Sequence, residues 1–405
     1  MLSTLKSRLR VSLISLILIF SLTEVSLAHR HHSYWHDRGS VADNPNWMSV
    51  LSDDLRLSAL SIPGTHETMS LYGLPVAGAV LAGAAQPLAP VIAANMVITQ
   101  TLSLREQLES GIRVLDIRCA RNDKTGGFDI YHGPIYQRAT FDDVLNTVKE
   151  FLSNHRGETV LMRVKEEYTN NPWAFAQMFK KYWNSDAYKD YFWTGKKDEN
   201  GKPRFDQNPT LGEMRKKIVI LQDFAREQCP KPKRDDIPDN PLPNQPDFGI
   251  CYSTFASQDA FYMRTNENLY QKWLYVKNHL AAANSGSRPE VKYMNYLTAS
   301  GGVFPYFVVS GHSNPATGAG RLATRFPSYR KLYPDFPRFA GFIHYEGTNT
   351  LVYGAIRTGY YTKRVGIIMT DFPGGGLIER IICLNYPSSD QLCQRLPPCT
   401  GRMCP

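Results

Sequence analysis

Chemically versatile side chains follow several short apolar runs in the chain. His66 comes directly after "SIPGT", Arg118 ends "VLDIR", His132 follows "FDIY" and Asp371 follows "IIMT". Two imidazoles suit a reaction that needs a base and an acid near neutral pH, because one can accept a proton while the other donates one. Taken singly, each residue also fits a structural role, such as a core histidine, an ion pair or a helix N-cap.

The arginine and the carboxylate indicate the kind of group that would react. The guanidinium of Arg118 can bind two phosphoryl oxygens at once and stays charged at any relevant pH. Asp371 would orient one imidazole and stabilise its protonated form. A two-metal mechanism would instead require clustered carboxylates. The set predicts cleavage of a phosphodiester without a metal or another cofactor.

These side chains can act on one molecule only if the fold brings the ends of their strands together. Short apolar runs alternate with segments whose apolar residues recur at helical spacing. One such segment, "TFDDVLNTVKEFLSNH", has Thr140 as its N-cap. Buried strands are predicted from Leu57 onward, near "GICYSTF", and over residues 113–119, 128–133, 159–165, 217–223, 306–311 and 365–371.

About eight strands that alternate with helices indicate an α/β protein with a parallel sheet. We predict a (β/α) barrel of the TIM type, irregular or distorted, that forms a single catalytic domain. Active sites of such barrels lie where the carboxyl ends of the strands meet. His66, Arg118, His132, Lys165 and Asp371 are therefore expected to converge at one mouth.

The N-terminal sequence is typical of a secretory signal peptide. A basic stretch precedes the apolar "VSLISLILIF" and a small-residue cleavage site that ends at Ala28. We predict a secreted, extracellular protein with a signal peptide at 1–28, a histidine-rich segment at 29–56, the barrel at 57–385 and a cysteine-rich tail at 386–405. A retained membrane anchor is the alternative, although the apolar run is short for a bilayer span.

Charge and hydropathy indicate which partners to expect. The formal net charge of +9 favours anionic surfaces, including a peripheral membrane surface. The basic residues are spread along the chain without a recognition motif, so nucleic acid is not an expected partner. Residues 74–98 carry no charge and are interrupted by prolines. This segment is either an apolar rim that enters a lipid interface or a buried connecting helix.

The seven cysteines suit an oxidising compartment. Cys229 and Cys251 bracket a proline-rich loop and could be joined by a disulfide, while Cys393, Cys399 and Cys404 lie close together in the tail. Spacing alone does not decide the pairing, and an odd count leaves at least one thiol unpaired or intermolecular. No spacing resembles a C-x-x-C metal site.

Several motifs together resemble a known family. "SIPGTHET", "QTLSLREQLESGIRVLDIRC", "IYHGPIY", "RVKEEY" and "VGIIMTDFP" are similar to the bacterial type of phosphatidylinositol-specific phospholipase C and its X-domain relatives. The resemblance covers most of the chain beyond the signal, from about residue 57 to about residue 382. It implies a distorted barrel and metal-independent cleavage of phosphatidylinositol to diacylglycerol and inositol 1,2-cyclic phosphate.

The resemblance also implies roles for the candidate catalytic residues. His66 matches the general base that acts on the inositol 2-hydroxyl, and Asp371 matches the carboxylate that orients it. His132 matches the general acid that protonates the diacylglycerol oxygen. Arg118 stands where metal-dependent eukaryotic members place part of a calcium site. Glu67 replaces the usual aspartate that supports the acid imidazole and is longer by one methylene.

Substrate-binding residues follow from the same resemblance. Lys165 matches a lysine that contacts inositol, and "SQDAF" resembles a segment with a hydroxyl-binding aspartate and a stacking tyrosine, which gives Asp259 and Phe261. Asp223 aligns with a family arginine that grips the inositol ring. This substitution reverses the charge where the headgroup hydroxyls should be recognised, so the headgroup could be phosphatidylinositol or a glycosylated relative.

Two other functions stay open at this point. A catalytically weak or inactive barrel of this type could bind a lipid headgroup or a glycan without turnover, since both Glu67 and Asp223 depart from the family pattern. A metal-dependent glycerophosphodiester phosphodiesterase could use a similar barrel, but its site requires a Glu/Asp pair where this chain has Asp116 and Arg118.

Overall fold

A computed structural model describes residues 33–34, 41–73, 96–201, 203–224, 229, 246–313 and 320–386. The predicted signal peptide, the tail with Cys393, Cys399 and Cys404, and most of the apolar segment at 74–98 lie outside the described residues. Among the described helices, none combines the length and the apolar composition that a bilayer crossing requires.

The described part of the chain alternates between strands and helices. The strands are β1 (Ile62–Thr65), β2 (Val114–Asn122), β3 (Gly127–His132), β4 (Ile135–Thr140), β5 (Val160–Glu166), β6 (Lys196–Lys197), β7 (Pro203–Arg204), β8 (Ile218–Asp223), β9 (Ile250–Cys251), β10 (Ala256–Gln258), β11 (Tyr262–Met263), β12 (Tyr293–Tyr296), β13 (Ser300–Gly301), β14 (Ala323–Pro327), β15 (Arg338–Phe339), β16 (Phe342–His344) and β17 (Ile367–Thr370). The α-helices are α1 (Leu104–Ser110), α2 (Phe141–Asn154), α3 (Pro172–Asn184), α4 (Leu211–Met214), α5 (Leu269–Ser285), α6 (Pro305–Ser310), α7 (Thr348–Arg357) and α8 (Gly375–Cys383).

Eight parallel strands form a curled sheet in the order β10-β12-β17-β1-β2-β5-β8-β9. Every neighbouring pair along this path is parallel. β9 and β10 are consecutive in the chain, but they are not hydrogen-bonded to each other, so the ring is open between them. The predicted distorted barrel is therefore confirmed, with an interruption at one place in its wall.

A β-hairpin extends the barrel wall next to β2. β3 pairs antiparallel with the distal half of β2 and with β4. The prediction that residues 128–133 form a parallel barrel strand was therefore wrong. Because β3 runs back towards the barrel along β2, its last residue, His132, still arrives at the mouth.

A second predicted strand is also wrong, since residues 306–311 lie in helix α6, Pro305–Ser310. Pro305 occupies the first turn, where a missing N–H is tolerated, and Gly311 ends the helix in the left-handed conformation with φ 80°. All residues of α6 are buried. A short apolar run that is buried on every side shows no period that separates helix from strand.

The first strand starts later than predicted. Residues 57–59 form a 3₁₀ turn, and β1 runs from Ile62 to Thr65, through Pro63 and Gly64. A Cβ on Gly64 would lie 2.6 Å from the sulfur of Met369 and 2.8 Å from Cβ of Val114. Glycine is therefore required by the close approach of the neighbouring strands, and His66 follows β1 directly.

Two local predictions are confirmed. Helix α2 begins after Thr140, whose hydroxyl accepts a hydrogen bond from the backbone N–H of Asp143. Cys229 and Cys251 form a disulfide across the proline-rich loop. Cys119, in β2, is a buried free cysteine, and burial raises the pKa of its thiol.

Candidate active site

His66 lies at the carboxyl end of β1 and is held from both sides of its ring. Its Nδ1 is 3.0 Å from Oδ1 of Asp371, and its Nε2 is 2.9 Å from NH2 of Arg118. Since a guanidinium only donates, Nε2 accepts from Arg118 and Nδ1–H donates to Asp371, so the ring is neutral in this arrangement. Burial by itself would lower the pKa of His66, but the Asp371 carboxylate outweighs it and the pKa is raised.

His132 approaches from the β3–β4 hairpin. Its Nδ1 is 2.7 Å from Oε2 of Glu67 and 2.9 Å from the hydroxyl of Ser70. The His132 side chain is 23% exposed and that of His66 is 19% exposed, so a ligand in the mouth can contact both. With Nδ1 engaged, Nε2 is the nitrogen of His132 that faces a ligand.

Glu67 connects the two imidazoles. Its Oε1 is 2.5 Å from NH1 of Arg118 and 3.8 Å from Nε2 of His66, while Oε2 contacts His132. Burial would raise the pKa of Glu67, but the charges of Arg118 and His132 hold it at about 2. The Glu67 carboxylate therefore contacts the His132 imidazole, as the resemblance implies for the residue at this position, despite its extra methylene.

The backbone of Glu67 adopts the left-handed conformation, with φ 42°. This conformation costs a non-glycine residue roughly 1 kcal/mol or more and is common at functional sites. The Glu67 N–H donates to Oδ2 of Asp116 at 3.1 Å, which fixes the turn after His66. The strain is therefore offset by a buried hydrogen bond from the next strand.

Arg118 supplies the central positive charge of the mouth. Besides His66 and Glu67, its nitrogens lie 3.3 Å from Oδ2 of Asp116 and 3.7 Å from Oε2 of Glu167. The surrounding carboxylates raise the pKa of Arg118 against the effect of burial. A guanidinium thus stands among the carboxylates, in a position from which it can bind a phosphoryl oxygen.

The three predicted substrate-binding residues lie in two different places. Lys165, at the end of β5, lies 2.9 Å from Oε2 of Glu167 and so belongs to the same cluster. Asp259 and Phe261 lie in the exposed loop after β10, where Phe261 is 48% exposed. No described contact joins either residue to the histidines. Their implied roles stay predictions.

Sequence reasoning missed Arg163, which is buried and contacts the same Asp116 carboxylate as Arg118 does. It pairs with Asp223 at 2.7 Å and with Asp116 at 3.2 Å. Arg163 and Lys165 are two residues apart on β5 and therefore share one face. A charged residue within the otherwise apolar "VLMRV" was the available signal, because buried charges in strands are rare without partners.

Comparisons with known proteins found similar sequences and a similar fold. Residues 95–223 match the family model of phosphatidylinositol-specific phospholipase C, X domain. The chain is 41% identical over 180 residues to 1-phosphatidylinositol phosphodiesterase of Listeria monocytogenes, an alignment that covers 44% of this chain and 48% of that protein. It is 26% identical over 316 residues to the Staphylococcus aureus protein of the same name, covering 74% of this chain and 85% of that protein.

The fold shows the same relationship over a longer part of the chain. The solved structure of phosphatidylinositol-specific phospholipase C from Listeria monocytogenes superimposes with a TM-score of 0.57 and 26% identity, covering 85% of this chain and 98% of that one. Over the matched residues the chain is similar to the X domain of phosphatidylinositol-specific phospholipase C, and its distorted barrel resembles the fold of the bacterial enzymes.

Proposed function

We propose that this protein cleaves phosphatidylinositol at the bond between phosphorus and the glycerol oxygen. One observation carries the proposal: two imidazoles from different elements contact one buried ion pair, Glu67–Arg118, at the open mouth of the barrel. This arrangement provides a base, an acid and a phosphate-binding cation around a single position. The names of the bacterial relatives support the same substrate.

In the first step His66 acts as the base. Arg118 donates to Nε2 of His66 in the free site, so a phosphoryl oxygen that binds Arg118 releases this nitrogen. Nε2 then accepts the proton of the inositol 2-hydroxyl while its oxygen attacks phosphorus. Asp371 accepts a hydrogen bond from Nδ1 and stabilises the imidazolium that forms.

His132 completes the step as the acid. The new bond joins phosphorus to the 2-oxygen, and the bond to the glycerol oxygen breaks as His132 delivers a proton from Nε2. Glu67 stabilises the protonated imidazole before the transfer, because its carboxylate lies against Nδ1. The products are diacylglycerol and inositol 1,2-cyclic phosphate, and the guanidinium of Arg118 balances the charge on the phosphoryl oxygens.

The setting of the reaction is part of the proposal. The substrate is a phosphoinositide or a glycosylated phosphoinositide in a membrane, so the protein would work at a peripheral membrane surface. The signal-like N-terminus supports a secreted, extracellular location. The overall positive charge supports attraction to anionic lipid.

Phosphorus NMR of phosphatidylinositol vesicles incubated with the protein and excess EDTA tests the reaction. We expect a cyclic phosphate signal that is lost in His66→Ala. A signal that needs a divalent cation would favour a metal-dependent phosphodiesterase. Vesicle binding without any product would favour a binding module, and in that case His66→Ala and His132→Ala should bind as well as the unmodified protein.

A second substrate separates the roles of the two histidines. A p-nitrophenyl ester of inositol 1-phosphate has a leaving group that needs no proton. We expect His132→Ala to recover most of its lost rate on this ester, whereas His66→Ala stays inactive. Equal losses for both variants would contradict the assignment of base and acid.

A further inference from the structure

Arg163 is a buried cation that is bound entirely by side chains of the barrel mouth. Its Nε and NH2 donate to Oδ2 of Asp223 at 3.1 and 2.7 Å. NH1 donates to Oδ1 of Asp116 and to the hydroxyl of Tyr296, both at 3.2 Å. The residue is 7% exposed, so water contributes little to its solvation. These contacts fix the guanidinium in one plane.

Two tyrosine rings, of Tyr252 and Tyr296, pack against the Arg163 guanidinium. The Cζ of Arg163 lies 4.3 Å from the centre of the Tyr252 ring, in the range of a cation–π contact. The hydroxyls of Tyr252 and Tyr296 are 2.9 Å apart, and the Tyr296 ring packs edge-on against His66 at 6.0 Å. The linked pair Tyr252 and Tyr296 therefore contacts both Arg163 and His66, the candidate base.

Asp116 connects Arg163 to the phosphate-binding position. One oxygen, Oδ1, accepts from Arg163, while Oδ2 accepts from Arg118 at 3.3 and 3.4 Å and from the Glu67 N–H. The carboxylate is buried. A displacement of Asp116 would therefore move Arg118 and the backbone turn at Glu67 together.

Asp223 stands at the other end of this chain of contacts. It ends β8, next to Lys165 in the strand register, and its side chain is 13% exposed. Both donors that Arg163 directs towards it go to Oδ2. Its position at the mouth suits a carboxylate that accepts hydrogen bonds from hydroxyl groups of a headgroup.

We propose that Arg163 is a positioning residue that links headgroup binding at Asp223 to the placement of Arg118, with Asp116 as the connecting carboxylate. The proposal rests on the function proposed above. A headgroup bound at Asp223 would hold Arg163 in place, and Arg163 would hold Asp116 and Arg118 in the position that binds the phosphoryl group. Arg163 itself contacts no reacting atom.

Kinetics of Arg163→Lys and Arg163→Gln test this link. Lysine can contact only one of the two carboxylates, so kcat should fall about 10-fold in Arg163→Lys. It should fall about 100-fold in Arg163→Gln, since small misplacements of a reactive group have effects of this size. Asp223→Asn should mainly raise KM, by about 10-fold, since it changes the headgroup side. Arg118 lowers the pKa of His66, so its displacement should also move the acid limb of kcat/KM to higher pH.

Arg113→Lys is the matched control, because Arg113 is also a fully buried arginine in an ion pair, with Glu158, but lies directly before β2, at the end of the barrel away from the mouth. This variant should lower the unfolding temperature and leave kcat and KM within about 2-fold. If the Arg163 variants change kcat no more than Arg113→Lys does at equal fractions folded, the proposal is wrong.

Calorimetric titration with inorganic phosphate separates this inference from the proposed function. Arg163→Lys should weaken phosphate binding about 10-fold relative to both the unmodified protein and Arg113→Lys, whether or not phosphatidylinositol is cleaved. If the unmodified protein does not cleave phosphatidylinositol but Arg163→Lys still binds phosphate more weakly, only the proposed function is overturned. Cleavage with unchanged phosphate binding and kcat in Arg163→Lys overturns only the inference.

Discussion

The amino and carboxyl ends of the barrel each carry a buried guanidinium close to β2: Arg113 directly precedes the strand, and Arg118 lies midway along it, at the mouth. The two differ in what surrounds them. At the amino end, Arg113 donates to Glu158 at 2.8 Å and to four backbone carbonyls of neighbouring segments. At the carboxyl end, Arg118 is bound by side chains: an imidazole and carboxylates. Arg113 therefore has a closed set of partners at the amino end of the barrel. Arg118 lies at the open mouth, where a ligand can replace some of its partners.

The difference also extends to the charge balance. At the amino end, burial raises the pKa of Glu158 and lowers that of Arg113, so desolvation outweighs the attraction within this single pair. At the carboxyl end, several cations lower the pKa values of Glu67 and Asp116 against the same effect of burial. A closed pair fits a structural role, and a cluster of alternating charges fits a site that must receive an anion.

Arg118→Lys should therefore mainly reduce activity, whereas Arg113→Lys should mainly reduce stability. Arg118→Lys should reduce kcat/KM by about 100-fold or more, since lysine cannot bind His66, Glu67 and a phosphoryl group in one plane. Arg113→Lys should destabilise the fold by about 3 kcal/mol with kcat/KM retained. Steady-state kinetics and denaturant unfolding of both variants measure the two effects, and a similar loss of activity in both would remove the distinction between the ends.

Lowering the pH should change the stability contributed by the two ends in opposite directions. The pKa of Glu67 is lowered from 4.5 to about 2, so its contribution to stability is present above pH 4.5 and is lost as the pH falls towards 2. The difference in unfolding free energy between the unmodified protein and Glu67→Gln should be on the order of 3 kcal/mol above pH 4.5 and should shrink below it.

Glu158→Gln is the matched variant for that experiment. The pKa of Glu158 is raised above 4.5, so its protonation favours the folded state and its contribution grows as the pH falls. The two differences should therefore have opposite slopes against pH. Parallel slopes would show that the two ends do not differ in their charge balance.

The smallest expected effect concerns the pH profile of the reaction. His66 acts as a base only when neutral, and its pKa lies above 6.5 because Asp371 outweighs burial and the opposing charge of Arg118. The acid limb of kcat/KM should therefore lie above pH 6.5 and should move down by about one unit in Asp371→Asn. A limb at or below pH 6.5 in the unmodified protein would argue against His66 as the base.

Local sequence patterns predicted most of the wall of the barrel. β2, β5, β8 and β17 are largely apolar, with few polar residues among their buried positions, and such runs identify strands that are buried on both faces. The barrel strands β10 and β12 were missed, and residues 128–133 and 306–311 were counted in their place. β10 and β12 have three and four residues and include polar side chains, so no local signal separated them from loops.

The site was predicted unevenly for a related reason. His66 and Asp371 follow the ends of β1 and β17, and Arg118 lies where β2 reaches the mouth, where a barrel concentrates functional groups. The structure brings the three within hydrogen-bonding distance. His132 also arrives at the mouth, but through an antiparallel hairpin rather than a barrel strand. Arg163 was missed because its importance depends on partners that are 47, 60 and 133 residues away in the chain.

The amino-acid order alone indicates which reactive groups are available, namely imidazoles, guanidiniums and carboxylates, and which strands carry most of them. The direction of β3, the break in the ring between β9 and β10, and the pairing of Arg163 with Asp116 and Asp223 follow instead from long-range contacts. Strand identity follows from local hydrophobic pattern, whereas strand direction and ion-pair partners depend on contacts between distant segments. Those contacts form only when the whole sheet closes around its core.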